Sequence, residues 1–365
     1  MKFLILGGGI SGLSKAWFLS KKYPQVKITL LEKENRLGGW IRTSREGGFL
    51  FEKGPRTFQL GRSPHLLELI RDLKLKIITA APQKRYLWHQ GRLRSLGSFL
   101  PMLIPYLIRE PFVRAAGSDD ESIYDFAARR FSPKIAKTLF DPLTLGIYAG
   151  DIHKLSVRAC FPALVSWERE KGSILRGLFS SPRREKGLFT LPDGMETLID
   201  ALQKQLEIEI VLNCPVESIG ENQVLAGGKT WHADQIFSAL PLSAPAKSIW
   251  VVNLAYEDSV LSKKGYGYLI PSQENLPLLG MIWDSSIFPQ QNVRGETRLT
   301  AMIRAEEKEP LQTALWAAEQ HLGIRAAPLF TATFYAKNAI PQFEVGCAVS
   351  EGISVDARIE NSKIS

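Results

Sequence analysis

Apolar residues recur along this chain with two different periods. Phe3-Leu4-Ile5-Leu6 and Val26 to Leu31 are unbroken apolar runs of strand length, and between them, from Ser11 to Lys21, the apolar positions follow helical spacing. A second helical stretch covers Pro64 to Leu73, where His65, Leu66, Leu69, Ile70 and Leu73 share one face. Phe49-Leu50-Phe51-Glu52 predicts a strand running into a constrained loop at Gly54-Pro55-Arg56, because proline fixes one dihedral and glycine permits close backbone approach. From about Arg85 to Lys186 the character changes to a short hairpin, Tyr86-Leu87-Trp88 with Arg92-Leu93-Arg94, and then to mostly helical pieces. A strand at Leu188 to Leu191 and a helix at Met195 to Leu206 follow, then strands at Ile208 to Leu212, Pro215 to Ile219 and Gln235 to Leu240. Alternation over Ser248 to Leu254, Gly267 to Ile270, Leu279 to Trp283 and Arg298 to Arg304 predicts an antiparallel sheet.

The most apolar decamer, Phe99 to Ile108, lies within the helical stretch and is flanked by Arg92, Arg94, Arg109 and Arg114. Crossing a bilayer takes about 20 such residues, so it is too short to span one. Two readings stay open: a helix dipping into one leaflet with its cations at the headgroups, and a buried helix roofing a site.

The first strand runs directly into Gly7-Gly8-Gly9-Ile10-Ser11-Gly12, and Glu32 ends the next, 20 residues past Gly12. This is the signature of a dinucleotide-binding βαβ unit. Gly7 allows a tight strand-to-helix turn, Gly9 lets backbone amides approach a pyrophosphate, and Gly12 allows close helix–strand packing. A carboxylate at Glu32 accepts from both ribose hydroxyls and repels a 2′-phosphate. Arg36-Leu37-Gly38-Gly39-Trp40 follows, an extension that nicotinamide sites do not need and that suits an extended cofactor such as FAD. The plain alternative for Gly38-Gly39 is a hairpin turn.

At 365 residues the chain exceeds the usual span of one core. Its formal charge of +9 favours anionic ligands or lipid surfaces, and with no basic–aromatic cluster nucleic acid ranks last among partners. Three scattered cysteines point to a reducing compartment, with neither a disulfide framework nor a metal site. The first strand starts at Lys2, which leaves no room for a cleaved leader, and the expected location is cytoplasmic, peripheral on the inner face of a membrane.

Taken together, Gly7 to Gly12, Glu32, Arg36 to Trp40, Gly54-Pro55-Arg56, Asp141-Pro142, Gly146 to Asp151, Leu155 to Arg158 with Phe161-Pro162, Gly194 to Leu198 and Gly265 to Pro271 resemble the protoporphyrinogen oxidase family, over about residues 1 to 345. The opening motif is common to flavin amine oxidase-like proteins, whereas the block from Gly146 to Pro162 is more specific. The resemblance implies an α/β fold: a Rossmann-like FAD-binding domain in two parts (1–82 and 187–247), a mostly helical insertion (83–186), an antiparallel-sheet substrate domain (248–340) and an irregular tail (341–365). It further implies oxidation of protoporphyrinogen IX to protoporphyrin IX in haem synthesis, with non-covalent FAD and oxygen, and it admits a homodimer. Cofactor contacts are implied for Gly7, Gly9, Ile10, Ser11, Gly12, Glu32, Lys33, Arg36, Gly38, Gly39, Trp40, Gly54, Pro55, Arg56 and Val216. Arg85 matches a propionate-binding arginine, and Tyr266, Leu269 and Met302 match positions lining a macrocycle slot. Each also has a plain reading: Arg85 as a surface arginine, Leu269 and Met302 as sheet core, Arg56 as a loop brace and Val216 as strand core. No catalytic base is assigned, since the histidines fall in no triad.

The family closes over its flavin with a C-terminal glycine-rich strand and helix, which this chain is expected to lack because after Gly346 it runs Cys347-Ala348-Val349-Ser350 into a short tail. FAD affinity is therefore expected to be reduced or absent. Competing functions are coproporphyrinogen III oxidation, a flavin amine or carotenoid oxidoreductase, and a non-catalytic remnant that binds tetrapyrrole or membrane.

Overall fold

The computed structural model describes residues 1–80, 83–115, 119–181, 187–241, 244–293 and 295–347. These fall into two compact units, one built from 1–80 with 187–241, the other from 83–181 with 244–347.

The first unit is built on a four-stranded parallel sheet in the order Glu209–Val211, Lys27–Leu31, Lys2–Leu6, Gln235–Ser238. Because side chains alternate along a strand, Lys2–Leu6 feeds two cores. Phe3 and Ile5 meet Leu13, Ala16, Leu66, Leu69, Leu198 and Leu202 from the helices Ile10–Lys22, Pro64–Asp72 and Glu196–Gln205. Leu4 and Leu6 meet Val224 and Ala226 of a three-stranded antiparallel meander, Val216–Ile219, Gln223–Ala226 and Lys229–His232. Burying both faces explains the unbroken apolar run of the first strand.

A seven-stranded sheet organises the second unit: Phe330–Pro341, Ala246–Tyr256, Thr297–Arg304, Leu278–Ile282, Gly267–Leu269, Arg85–Trp88 and Leu93–Ser95. All neighbours are antiparallel except Gly267–Leu269 with Arg85–Trp88. The helix Pro310–Leu322 lays Ala314, Ala317 and Ala318 on one face, and Leu145 of the helix Asp141–Tyr148 with Ala149 at its C-terminal cap covers Ile249, Val251 and Ala336 on the other. Four helical pieces, Glu110–Phe112, Ile123–Arg130, Pro162–Lys171 and Ile174–Ser180, are locked by buried charge. Arg130, fully buried, donates Nη1 to Glu110 Oε1 (3.0 Å) and Nε to Glu168, while Glu110 accepts from Ser173 Oγ (2.5 Å) and Ile174 N (2.8 Å) at the start of the next helix.

Several expectations change. The hairpin at Arg85–Ser95, expected to open the helical insertion, extends the seven-stranded sheet, so insertion and sheet share one unit. The sheet also gains the strand Phe330–Pro341, the expected strand at Pro215 to Ile219 appears as Val216–Ile219, and the meander strands Gln223–Ala226 and Lys229–His232 and the helix Pro310–Leu322 are additions. The apolar decamer forms the helix Leu100–Arg109, which has no buried residue, so the buried-roof reading is overturned. The expected irregular tail begins in order: Gln342 and Phe343 are buried, and Ser156 N donates to Phe343 O (2.8 Å). From 348 onward the tail lies outside the described residues.

Candidate functional site

Three loops of the first unit stack one on the next outward from the start of the helix Ile10–Lys22. Gly7, at φ +101°, turns the chain out of the first strand, and a Cβ on Gly12 would overlap the Gly7 carbonyl oxygen. Gly38 and Gly39 (φ +101° and +56°) form a second turn packed on the first: Gly38 N donates to Gly8 O (2.8 Å), and a Cβ on Gly39 would stand 3.3 Å from Gly9 Cα. Gly54 brings the third loop so close to Trp40 that a Cβ there would overlap the Trp40 carbonyl oxygen. These contacts replace the plain hairpin reading of Gly38-Gly39 with a loop-to-loop seam.

Would this surface fit a dinucleotide? The helix begins at Gly9 with neither a side-chain cap nor an acidic residue in its first turn, so the amides of Ile10, Ser11 and Gly12 have no intrahelical acceptor. Open space surrounds the position of a Gly9 Cβ. Glu32, buried, accepts from Gly8 N (2.5 Å) and Glu34 N (2.9 Å), which occupies two of a carboxylate's roughly four lone-pair directions and leaves the others for hydroxyls. Free amides at a positive helix end, clear space for a phosphate and an acceptor beyond it fit the adenine-nucleotide half of a flavin cofactor.

Not every expected contact residue points that way. The guanidinium of Arg36 is engaged with Gly39 O (3.1 Å), Ile41 O (2.9 Å) and Glu196 Oε1 (2.7 Å), so it pins the second turn. Arg56, buried, donates to Glu52 O (3.3 Å), and exposed Lys33 pairs with Glu34 (3.5 Å). Val216 packs with the core that holds Leu4, Leu6 and Leu31, while Cys214 N donates to Glu32 O (2.8 Å) and leads the chain past the acid. Pro55 is half-buried and Trp40 exposed. The sequence reading missed the network beneath these loops. Buried Glu52 accepts from Met195 N (2.7 Å) and Thr43 Oγ1 (3.0 Å), and Glu196 accepts from Thr43 N (3.0 Å) while its own amide donates to Thr43 Oγ1 (3.0 Å). An available signal was Gly194 just ahead of a helix whose first turn carries Glu196; its φ is +91°.

In the second unit Arg85 stands opposite Gly267 in parallel register and thus shares a face with Leu269, two residues on. Its guanidinium carbon lies 5.2 Å from the centre of the Tyr266 ring. Leu269, Gly280 and Met302 sit side by side on three adjacent strands, and Leu269 packs where a Cβ on Gly146 would clash. The four expected slot residues therefore lie as two pairs one step apart along the strands. None of them lines the cavity of about 530 Å³ in this unit, whose walls include Lys137, Asp141, Asp151, Lys247, Ser272 and Arg304. Burial raises the Asp141 carboxyl above its ordinary range, opposed by hydrogen bonds from Ser272.

Comparison with known proteins gives a consistent result. The model for the flavin containing amine oxidoreductase family matches residues 10–314. The chain is 31% identical to the protoporphyrinogen oxidase of Bos taurus over 421 residues, covering 94% of this chain and 88% of that one. It is 26% identical over 413 residues to the coproporphyrinogen III oxidase of Bacillus subtilis, covering 94% and 87%. Both matched stretches are longer than the 365 residues of this chain, so these relatives carry internal segments that it does not pair with. A solved Exiguobacterium structure assigned provisionally as a protoporphyrinogen oxidase superposes with TM-score 0.84 at 21% identity, over 99% of this chain and 97% of that one.

Proposed function

Because this chain belongs to the flavin containing amine oxidoreductase family, we propose that it oxidises a porphyrinogen in haem biosynthesis, converting protoporphyrinogen IX to protoporphyrin IX with non-covalent FAD and oxygen as acceptor. The observation that carries the flavin part is an uncapped helix start beside Glu32, with two further glycine loops stacked in turn on the first. The match to porphyrinogen oxidases along nearly the whole chain supports the substrate class.

Bound flavin supplies a two-electron acceptor that oxygen can reoxidise, so loss of six electrons from the macrocycle takes three rounds. The chain's own residues bind and orient. The amides of Ile10, Ser11 and Gly12 hold the pyrophosphate and Glu32 the ribose, while Arg36, Glu196, Thr43 and Glu52 keep the loops from drifting. Arg85 receives a propionate through its fork of donors, and Leu269 and Met302 give the flat ring an apolar surface. No side chain is assigned to proton transfer.

The same reading includes a peripheral membrane contact. No helix among the described residues is long and apolar enough to cross a bilayer. Leu100, Ile104 and Ile108 nonetheless line up on an exposed helix face, followed by Phe112 (80% exposed), while Phe179 (84%) lies on the helix Ile174–Ser180 that packs on 110–112. Apolar residues so presented, with Arg109 and Arg114 nearby in sequence, suit insertion at an anionic lipid surface.

Aerobic oxidation of protoporphyrinogen by the purified chain with added FAD, followed as porphyrin fluorescence, tests the reading. A rise above the nonenzymatic background is expected, and none would overturn it. Parallel assays with coproporphyrinogen III decide between the two substrates.

A further inference from the structure

Four cations gather at one corner of the sheet unit without an acidic partner. Lys84 and Arg85 lead into the strand Arg85–Trp88, and the segment Lys263-Lys264-Gly265-Tyr266 is fastened to them: Tyr266 N donates to Lys84 O (2.8 Å) and Tyr86 OH to Lys264 O (3.3 Å). Gly265 permits this seam, since a Cβ there would stand 2.7 Å from Lys84 O, 2.8 Å from the Tyr86 ring and 3.1 Å from Trp283. Tyr266 is held from its other side as well, its carbonyl accepting from Trp283 N (2.9 Å). All four cations are exposed, and among the described residues none is in an ion pair. Glu257 and Asp258, the acids of the same loop, lie nearer its beginning.

Neighbouring unpaired cations repel one another, and a protein that needed only solubility would intersperse acids. Here one of them is also oriented. The guanidinium of Arg85 rests 5.2 Å from the centre of a ring whose backbone is fixed at both ends, with its donors free for a planar carboxylate.

We propose that this corner is a carboxylate-collecting surface for the acidic tetrapyrrole: Lys84, Lys263 and Lys264 steer the anion in, and Tyr266 is the positioning residue that aims the fork of Arg85. The proposal rests on the porphyrinogen reading and adds three steering residues and one positioning role to it. Steering acts on encounter and is screened by salt, whereas aiming acts on residence time.

The test uses stopped-flow quenching of a dicarboxylic porphyrin and of its dimethyl ester, dispersed in the same nonionic detergent, with the full chain. For the Lys84→Gln, Lys263→Gln, Lys264→Gln triple variant, the diacid on-rate at low salt is expected to fall about tenfold, with a shallower salt dependence and no change for the ester. Tyr266→Leu should raise the diacid off-rate about two- to fivefold, the factor of an exposed cation–π contact, and Tyr266→Phe should restore it. An unchanged diacid on-rate, or equal losses for acid and ester, would overturn the proposal while leaving the porphyrinogen reading intact. If the unmodified chain binds neither compound, the ligand class is wrong and both fail. A triple variant that loses binding only to anionic vesicles would assign the corner to lipid and overturn it too.

Discussion

In the glycine-loop unit the groups proposed to form the site are backbone atoms: the amides of Ile10, Ser11 and Gly12, the Gly8 carbonyl that receives Gly38, the Trp40 carbonyl under Gly54. In the sheet unit they are side chains, with Arg85 over Tyr266 and Leu269 beside Gly280 and Met302. The contrast has a physical source. A phosphate is recognised through donors that every residue carries, so the constraint falls on where a Cβ is forbidden, and that constraint appears as glycine spacing. A flat ring with acidic arms is recognised by surface and charge, which many residue types supply. The first kind of site tolerates little sequence change and the second tolerates much.

Two glycines in the same turn break that comparison most sharply. Gly12→Ala places a methyl group into the Gly7 carbonyl, a backbone clash that no rotamer relieves, and should cost about 4 kcal/mol or more, leaving the unit unfolded and colourless. Gly9→Ala meets open space at φ −72°, which any residue adopts, so its thermal midpoint should match the parent. It should still lose at least about tenfold in FAD affinity, because the methyl group takes the space kept for phosphate. Thermal unfolding paired with FAD titration checks both. If Gly9→Ala binds FAD normally, the turn is not the phosphate site.

A second cut separates the units by stability. Arg130 is enclosed by Glu110, Glu168 and the carbonyls of Val113 and Gly172. Hydrogen bonds and charge from Arg129 and Arg130 hold the Glu168 carboxyl below its usual range, against the opposing effect of burial. Arg130→Met leaves the buried Glu110 carboxylate without a cation and Glu168 with Arg129 alone, and should destabilise the sheet unit by about 3–5 kcal/mol in urea unfolding. The glycine-loop unit should hold FAD as before at low denaturant. A loss of FAD in step with the helical pieces would show that the two units are not energetically separable.

What could be read in advance follows the same division. The first strand, the turn, Glu32 and the glycine at 54 were legible because geometry leaves few alternatives to glycine or to an acid at those places. The joint role of Thr43, Glu52 and Glu196 was not, since a buried carboxylate receiving backbone amides has no sequence period and the Gly194 signal marks only the turn ahead of Glu196. Neither was the strand Phe330–Pro341, an edge strand that is mostly half-buried, with Asn338 at φ +51° near a register shift that disturbs its alternation. The Gly227-Gly228 hairpin, at φ +58° and +70°, carried the type I′ signal and was legible in principle. In the sheet unit, Arg85 and Tyr266 were reached only through resemblance, because neither spacing nor composition distinguishes a ligand-holding arginine from a solvated one.

The smallest expected effect concerns the core of the sheet unit and sharpens the contrast through pH. His321 lies in the last turn of the helix Pro310–Leu322, where the helix dipole favours its protonated form. Its ring stacks on Trp88 at 3.7 Å, Nδ1 meets the Tyr268 hydroxyl at 2.8 Å, and Nε2 is buried with no acceptor among the described residues. Desolvation wins over the dipole and pushes the imidazole down to about 4 from 6.5. The unfolded chain therefore takes up a proton near pH 6.5 that the folded chain refuses. The stability due to the neutral ring is complete above that pH and is lost as pH falls toward 4. Asp141, with its carboxyl raised by burial, works in the opposite direction, gaining stability on acidification, so the comparison must be with a variant rather than with pH alone. Between pH 6.5 and 5, above the carboxylate range of the unfolded chain, the sheet unit should lose about 1–2 kcal/mol after allowance for solvent screening. His321→Gln can still pair with Tyr268 but does not titrate, and should flatten that slope. Urea midpoints at pH 7.5, 6.5 and 5 decide it: if parent and variant weaken in parallel, the ring is not the group responsible, and the core of this unit is wetter than its burial indicates.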